Sequence, residues 1–204
     1  MKKKLRGVSV SLLVGIVGIT LALIVVIVLI LSIESKENKR VIETDRVVDG
    51  GKIAMTYTDD SSELIINNMQ GLSDSAGIIL NSSDMYFDFS VNCNLKNNAH
   101  ANYEIAVTRD NNASNISDKD IRIYLEKQVD GMYVGVFGPE SYDALKEDTK
   151  FGSPQGSMVV YTAKNLSDDT SNYRLRFWLS DTAEVQEGAL YNYGLFGNVY
   201  GKAS

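Results

Sequence analysis

The chain has little of what builds metal-braced or disulfide-braced sites. A single cysteine, Cys93, excludes an intramolecular disulfide. A single histidine, His100, stands in a polar stretch, and a zinc site needs several ligands at set spacing. No HExxH occurs, and one loop histidine builds no convincing Ser/His/Asp relay. There is no Gly-rich phosphate loop, no βαβ rhythm and no internal repeat, which argues against an α/β enzyme. Proline appears only at Pro139 and Pro154. Positive charge is scarce too. The formal net charge is −6, and four of the 20 basic residues (Lys2, Lys3, Lys4 and Arg6) sit at the very start. That leaves 16 basic against 26 acidic residues, about −10, a balance that repels phosphate backbones and excludes nucleic acid as a natural partner. No catalytic, cofactor-binding or metal-ligating residue is assigned, and the chain is read as a non-enzyme without a cofactor.

What is present begins with an uncharged run over residues 8–33, from Val8 to Ile33 (VSVSLLVGIVGITLALIVVIVLILSI). It exceeds the roughly 20 residues that a helix needs to cross a bilayer core. In hydrocarbon, unpaired backbone groups make helix the form expected for one isolated span. The basic start keeps residues 1–6 cytoplasmic and puts the C-terminus outside. The lipid bilayer is therefore the first partner expected. A cleaved signal peptide and a prepilin leader are the rivals. The run is longer than a signal peptide's apolar region, and no Ala-x-Ala site follows it. Pilin leaders typically carry a glutamate five residues after the cut following Gly7, and Leu12 stands there. The expected organisation is a cytoplasmic basic tail (1–6), a transmembrane signal-anchor helix (7–33), a charged stalk (34–46) and an extracellular domain (47–204).

Beyond the stalk, apolar residues alternate, which is the period of strands. Residues 52–58 (KIAMTYT), 86–93 (YFDFSVNC), 102–108 (NYEIAVT), 121–127 (IRIYLEK), 132–137 (MYVGVF), 158–163 (MVVYTA), 173–179 (YRLRFWL) and 191–200 are the clearest, with a short run at 63–67. Phe87, Phe89, Val91 and Cys93 point one way, and Cys93 is read as a small buried hydrophobe. Residues 86–93 and 102–108 are expected to form a hairpin. Asp130-Gly131 predicts another. Arg174, Arg176 and Trp178 are expected to face outward. Residues 141–148 (SYDALKED) are the one helical candidate, with Ser141 as N-cap. Gly194, Gly197 and Gly201 suggest bulges or close backbone approach. Eight or nine short strands joined by polar loops predict an all-β fold, an antiparallel β-sandwich or jelly roll, carried on a single N-terminal transmembrane helix.

Asp59, Asp60, Asp74, Asp84, Asp118, Asp120, Asp168 and Asp169 sit where turns use aspartate to bind backbone amides. The oxygen-rich run 110–120 (DNNASNISDKD) lacks EF-hand spacing, and weak calcium binding there stays open. A spatial pair of carboxylates, as in glycosidases, leaves no mark in sequence. Asn81, Asn112, Asn115 and Asn165 begin Asn-X-Ser triplets, which an Asn/Ser-rich composition also produces.

The order of these stretches carries a resemblance. A strand pair is followed by Tyr86-Phe87-Asp88-Phe89-Ser90-Val91, Asn102-Tyr103-Glu104-Ile105, Ile121-Arg122-Ile123-Tyr124-Leu125 and a late Tyr173-Arg174-Leu175-Arg176-Phe177-Trp178-Leu179. This resembles the TasA/camelysin-type jelly-roll proteins of Gram-positive bacteria over residues 47–204. The resemblance implies a matrix-fibre or surface-layer component. It departs in two ways: those proteins usually have cleaved signal peptides, and the protease activity assigned to camelysin-type members has no HExxH here to carry it. The function expected is a non-catalytic, membrane-anchored cell-surface sandwich with a structural, matrix-assembly or adhesion role. The alternative is a membrane-tethered carbohydrate-binding or carbohydrate-active module. Self-association, or a surface protein or glycan, is the partner expected. Residues 52–58 are the expected first strand, paired within the monomer and donated to a neighbour once the stalk is released.

Overall fold

The computed structural model describes residues 41–43, 51–57, 63–82, 85–95, 100–148, 150–166 and 169–203. The tail, the apolar run at 8–33 and most of the stalk lie outside these residues, as do Asp59, Asp60, Asp84 and Asp168. Among the described residues no helix is long and apolar enough to cross a membrane. One compact unit spans Asn38–Ser204.

Alternating apolar residues give each strand one greasy face, and two sheets bury those faces against each other. The strands, in order, are β1 (Val41–Glu43), β2 (Gly51–Tyr57), β3 (Glu63–Ile66), β4 (Gly71–Leu72), β5 (Tyr86–Leu95), β6 (Ala101–Asp110), β7 (Ile121–Val129), β8 (Met132–Ser141), β9 (Lys146–Glu147), β10 (Met158–Leu166), β11 (Asp169–Ser180) and β12 (Tyr193–Ala203). The larger sheet runs β1-β2-β5-β11-β7-β8, with β4 added in parallel to the end of β11. The smaller runs β3-β12-β6-β10-β9. All other pairings are antiparallel.

The core lies between the sheets. Phe87, Phe89, Val91 and Cys93 of β5 are buried there, beside Tyr173, Leu175, Phe177 and Leu179 of β11 and Ile121, Ile123 and Leu125 of β7. The smaller sheet contributes Tyr103, Ile105 and Val107 of β6 and Tyr193, Leu195 and Val199 of β12. Register matches like with like: Tyr173 faces Phe89, Leu175 faces Leu125, and Phe177 faces Ile123. Buried tyrosines need a partner for their hydroxyls. Tyr103 and Tyr173 share one across the sheets at 2.5 Å, and Tyr193 donates to Asp118 at 2.6 Å. Gly201 is a close approach: a Cβ there would run into Ile53 of the opposing sheet.

Three expectations need correction. Strands β5 and β6 do not form a hairpin, because β5 pairs with β2 and β11 while β6 pairs with β12 and β10. The connection crosses between sheets, and a local sequence pattern cannot tell that from a turn within one. Residues 52–58 do not supply the first strand. Val41–Glu43, within the segment expected as stalk, precedes β2 and pairs with it, so β2 has neighbours on both sides. Ser141 ends β8 and makes no side-chain cap, and only a 3-10 turn, Tyr142–Ala144, follows it. Among the described residues the α-helix is elsewhere: α1 (Asp74–Gly77) is a single turn whose N-cap, Ser73, accepts from the Ala76 amide. The expected hairpin at Asp130-Gly131 is present. Both residues have positive φ, 51° and 82°, which a two-residue turn with right-handed strand twist requires.

A buried acid sits on the outer side of the smaller sheet. Glu104 is fully covered, with Phe151 and Ser153 of the 150–157 loop against it. Neither oxygen completes a hydrogen bond among the described residues. Burial raises its pKa first, and the nearby Asp148 carboxylate adds to the rise. The Phe151 amide, the Ser153 hydroxyl and Lys150 oppose it. A carboxyl that binds its proton more tightly when folded stabilises most below its unfolded pKa. That stability is lost as pH rises through the folded value. Glu104→Gln is therefore expected to gain stability at pH 7 and little at pH 4. Urea midpoints of both proteins at the two pH values test this, and an equal gain at both would refute the ionisation account.

Candidate functional site

The residues that alternate with the core on β5, β11, β7 and β8 share the outer face of the larger sheet. Register brings them into rows. Arg174 lies between Asp88 and Glu126, Arg176 between Tyr86 and Tyr124, and Asn172 beside Ser90. Arg174 grips Asp88 with two bonds, Nε to Oδ1 at 2.7 Å and Nη2 to Oδ2 at 2.8 Å. Its guanidinium also lies against two rings, Tyr86 at 3.9 Å and Tyr133 at 4.2 Å. A planar cation suits this double stack in a way a lysine does not. The Asp88 bond holds the Arg174 pKa well above its ordinary value. Burial, then Asp88, pushes the Tyr133 hydroxyl up as well.

One row away, Arg176 donates to Glu126 at 2.8 Å and also bonds the Leu80 carbonyl. This pair is the more deeply buried of the two, with side chains 4% and 11% exposed. A third row is uncharged. Ser90 donates to Asn172 at 2.7 Å, and Asn172 donates to Gln128 at 2.8 Å. At the other end Arg122 of β7 takes Asp74 of α1 in a two-bond grip, at 2.9 and 2.7 Å. That pair ties the single-turn helix to the sheet.

The expectation that Arg174, Arg176 and Trp178 face solvent is corrected here. Their parity is right, since all three oppose the core. Arg174 is mostly covered, however, and Arg176 and Trp178 are buried at 3% and 2% exposure. For Trp178 the reason is α1, which packs over the end of β11. A Cβ on Gly77 would enter the Trp178 ring, so the helix lies directly on the indole. A glycan platform at Trp178 is therefore not available. The carboxylates that flank β11 on this face, Asp88 and Glu126, each hold an arginine. General acid–base work needs a carboxyl in reach of substrate with a tuned proton affinity. These two act as cross-strand braces.

The remaining residues weighed in the sequence fall apart from this face. His100 is exposed just before β6. Asp118 accepts from Arg109 at 2.8 Å and from Tyr193, and Arg109 lies over the Tyr193 ring at 5.4 Å. Asp110 accepts the Asn112 amide at 2.8 Å, which, with Glu63 beside it, lowers its pKa. The 110–120 loop is thus fastened to the sandwich by its own acids. Among the described residues no three His, Cys, Asp or Glu side chains gather to hold a metal ion. Asn115 bonds the Leu190 carbonyl and the Asn192 amide, so its side chain holds a second loop.

The sequence carried a signal for the ladder that went unread. Tyr86, Asp88, Arg122, Tyr124, Glu126, Arg174 and Arg176 all hold the outward parity of their strands. Opposite charges at that parity on separate strands mark cross-strand pairs. No protein-family model matches the chain, and no curated protein matches it either.

Proposed function

We propose that the chain is a membrane-anchored cell-surface β-sandwich with a structural role in matrix assembly or adhesion, and that it is not an enzyme. Residues 7–33 form its transmembrane signal-anchor, residues 1–6 stay in the cytoplasm, and the sandwich, of jelly-roll type, is displayed outside. The resemblance to TasA/camelysin-type proteins points the same way. One observation carries the non-catalytic part of this reading: the two carboxylates beside β11 on the outer face, Asp88 and Glu126, are locked to arginines, and the arginines to aromatic rings or carbonyls. Such a face is a stiff plate, suited to bearing load or touching another surface. The alternative, a carbohydrate module, would be favoured by an exposed aromatic platform at Trp178, and that ring is buried.

The topology has a direct test. Protease added to intact cells or protoplasts is expected to remove a C-terminal epitope while a cytoplasmic control protein survives. Protection of that epitope until the membrane is permeabilised would reverse the proposed orientation.

A further inference from the structure

We propose that β8 is a self-association edge, which pairs antiparallel with β8 of a second copy of this chain about a two-fold axis at Val134. This names the partner for the assembly role above and rests on that reading only for its biological setting.

Strand β8 ends the larger sheet, and β7 is its only ladder neighbour among the described residues. Folded proteins usually guard such an edge with charge, proline or a bulge. Here the guard is confined to one half. Register shifts occur between Ile123 and Glu126 on β7, Gly138 has φ of 76°, and Pro139 has no amide to offer. Residues 132–135 pair regularly with β7, Val136 is skipped in that pairing, and residues 132–139 carry no charge at all. The open half is also apolar, with Met132 71% and Val134 48% exposed.

The backbone fixes which groups look outward. A two-residue turn closes on a hydrogen-bonded pair, here Val129 with Met132, and such pairs then alternate along the ladder. Met132 and Val134 therefore turn their amides and carbonyls toward β7. Tyr133 and Gly135 turn theirs to the empty side.

A second β8 meets these requirements. With Val134 facing Val134, Tyr133 of each copy faces Gly135 of the other, and these outward-looking residues exchange their backbone bonds. Met132 and Val134 keep the core-side parity of β8, so apolar residues stay on the core side of both strands. Val136 already packs against the core. On the outer face each Tyr133 stands beside Gly135, which Tyr124 of its own chain already covers. Shifting the centre to Gly135 brings the irregular Phe137 into the ladder, and shifting it to Tyr133 brings in the turn. The centred register leaves Asp130 and Glu140 beyond the paired stretch, so no like charges meet. The ladder is short, and confinement of both copies to one membrane raises the effective concentration that it needs.

The test uses purified full-length protein in detergent or lipid, and so reads pairing regardless of where the chain resides in the cell. Central residues of a non-hydrogen-bonded antiparallel pair lie about 4.5 Å apart at Cα, within disulfide reach. Under mild oxidation Val134→Cys is expected to give a covalent dimer on the order of tenfold faster than Ile79→Cys, since a formed pair raises the local thiol concentration. Ile79 is the control because it is 71% exposed and belongs to no strand edge, while the native Cys93 is buried. In parallel, Val134→Lys sets two ammonium groups face to face and is expected to sediment as monomer where the unaltered protein is dimeric. Equal cross-linking of the two cysteine variants overturns the proposal. So does a Val134→Lys protein that sediments like the unaltered one, which would trace association to another surface.

Discussion

Phe89→Ala is expected to cost about 3–5 kcal/mol of folding stability, the range for deleting a buried aromatic and leaving a cavity. Phe89 is 2% exposed in the middle of β5. It stacks on Tyr173 with centroids 5.5 Å apart and touches Phe87 at the same separation. Tyr173 in turn meets Tyr103 of the opposing sheet, so the lost ring loosens the contact between sheets. Ser90, one residue on, points the other way and serves as the internal comparison. Its hydroxyl bond to Asn172 makes Ser90→Ala a loss of about 1 kcal/mol rather than a silent change. Urea unfolding of the three proteins separates the two sizes of effect. Equal shifts for Phe89→Ala and Ser90→Ala would mean that β5 is built in the wrong phase.

Glu126→Ala is expected to cost roughly as much, about 3–5 kcal/mol, for a different reason. The substitution leaves the Arg176 guanidinium buried without its counter-charge, and the Leu80 carbonyl alone does not replace a carboxylate. Replacing both partners by apolar residues, Arg176→Met with Glu126→Leu, is expected to restore most of the loss. A pair of this kind is worth little against a well-packed apolar pair, yet costs much to break from one side. The more exposed Asp88–Arg174 pair is screened by water, so Asp88→Ala is expected to cost less. Thermal melts of the singles and the double, at one pH and salt, decide the matter. A Glu126→Ala protein that melts with the unaltered one would show that Arg176 reaches solvent or another partner.

How far the sequence speaks can be followed along β11. The alternation in YRLRFWL assigns Tyr173, Leu175, Phe177 and Leu179 to one face, and all four are in the core. It also assigns Arg174, Arg176 and Trp178 to the other face, correctly. What it cannot supply is what lies over that face. Trp178 is buried because α1, about a hundred residues earlier in the chain, lands on it. Arg176 is buried because Glu126 and Leu80 arrive from two other elements. The same limit explains the strand pair 86–93 and 102–108. Two amphipathic strands with a polar link look alike whether they join edge to edge or face each other across a core.

The period of the strands, the phase of each apolar face, the Asp130-Gly131 turn and the burial of Cys93 are legible residue by residue. These follow from interactions between residues a few positions apart, where the pleat and the sterics of φ leave little choice. Which strand neighbours which, the bracing of arginines by Asp88 and Glu126, and the open edge at β8 emerge only on folding. Those outcomes depend on pairings between residues 50 to 86 positions apart, whose geometry exists only once the two sheets have closed on each other.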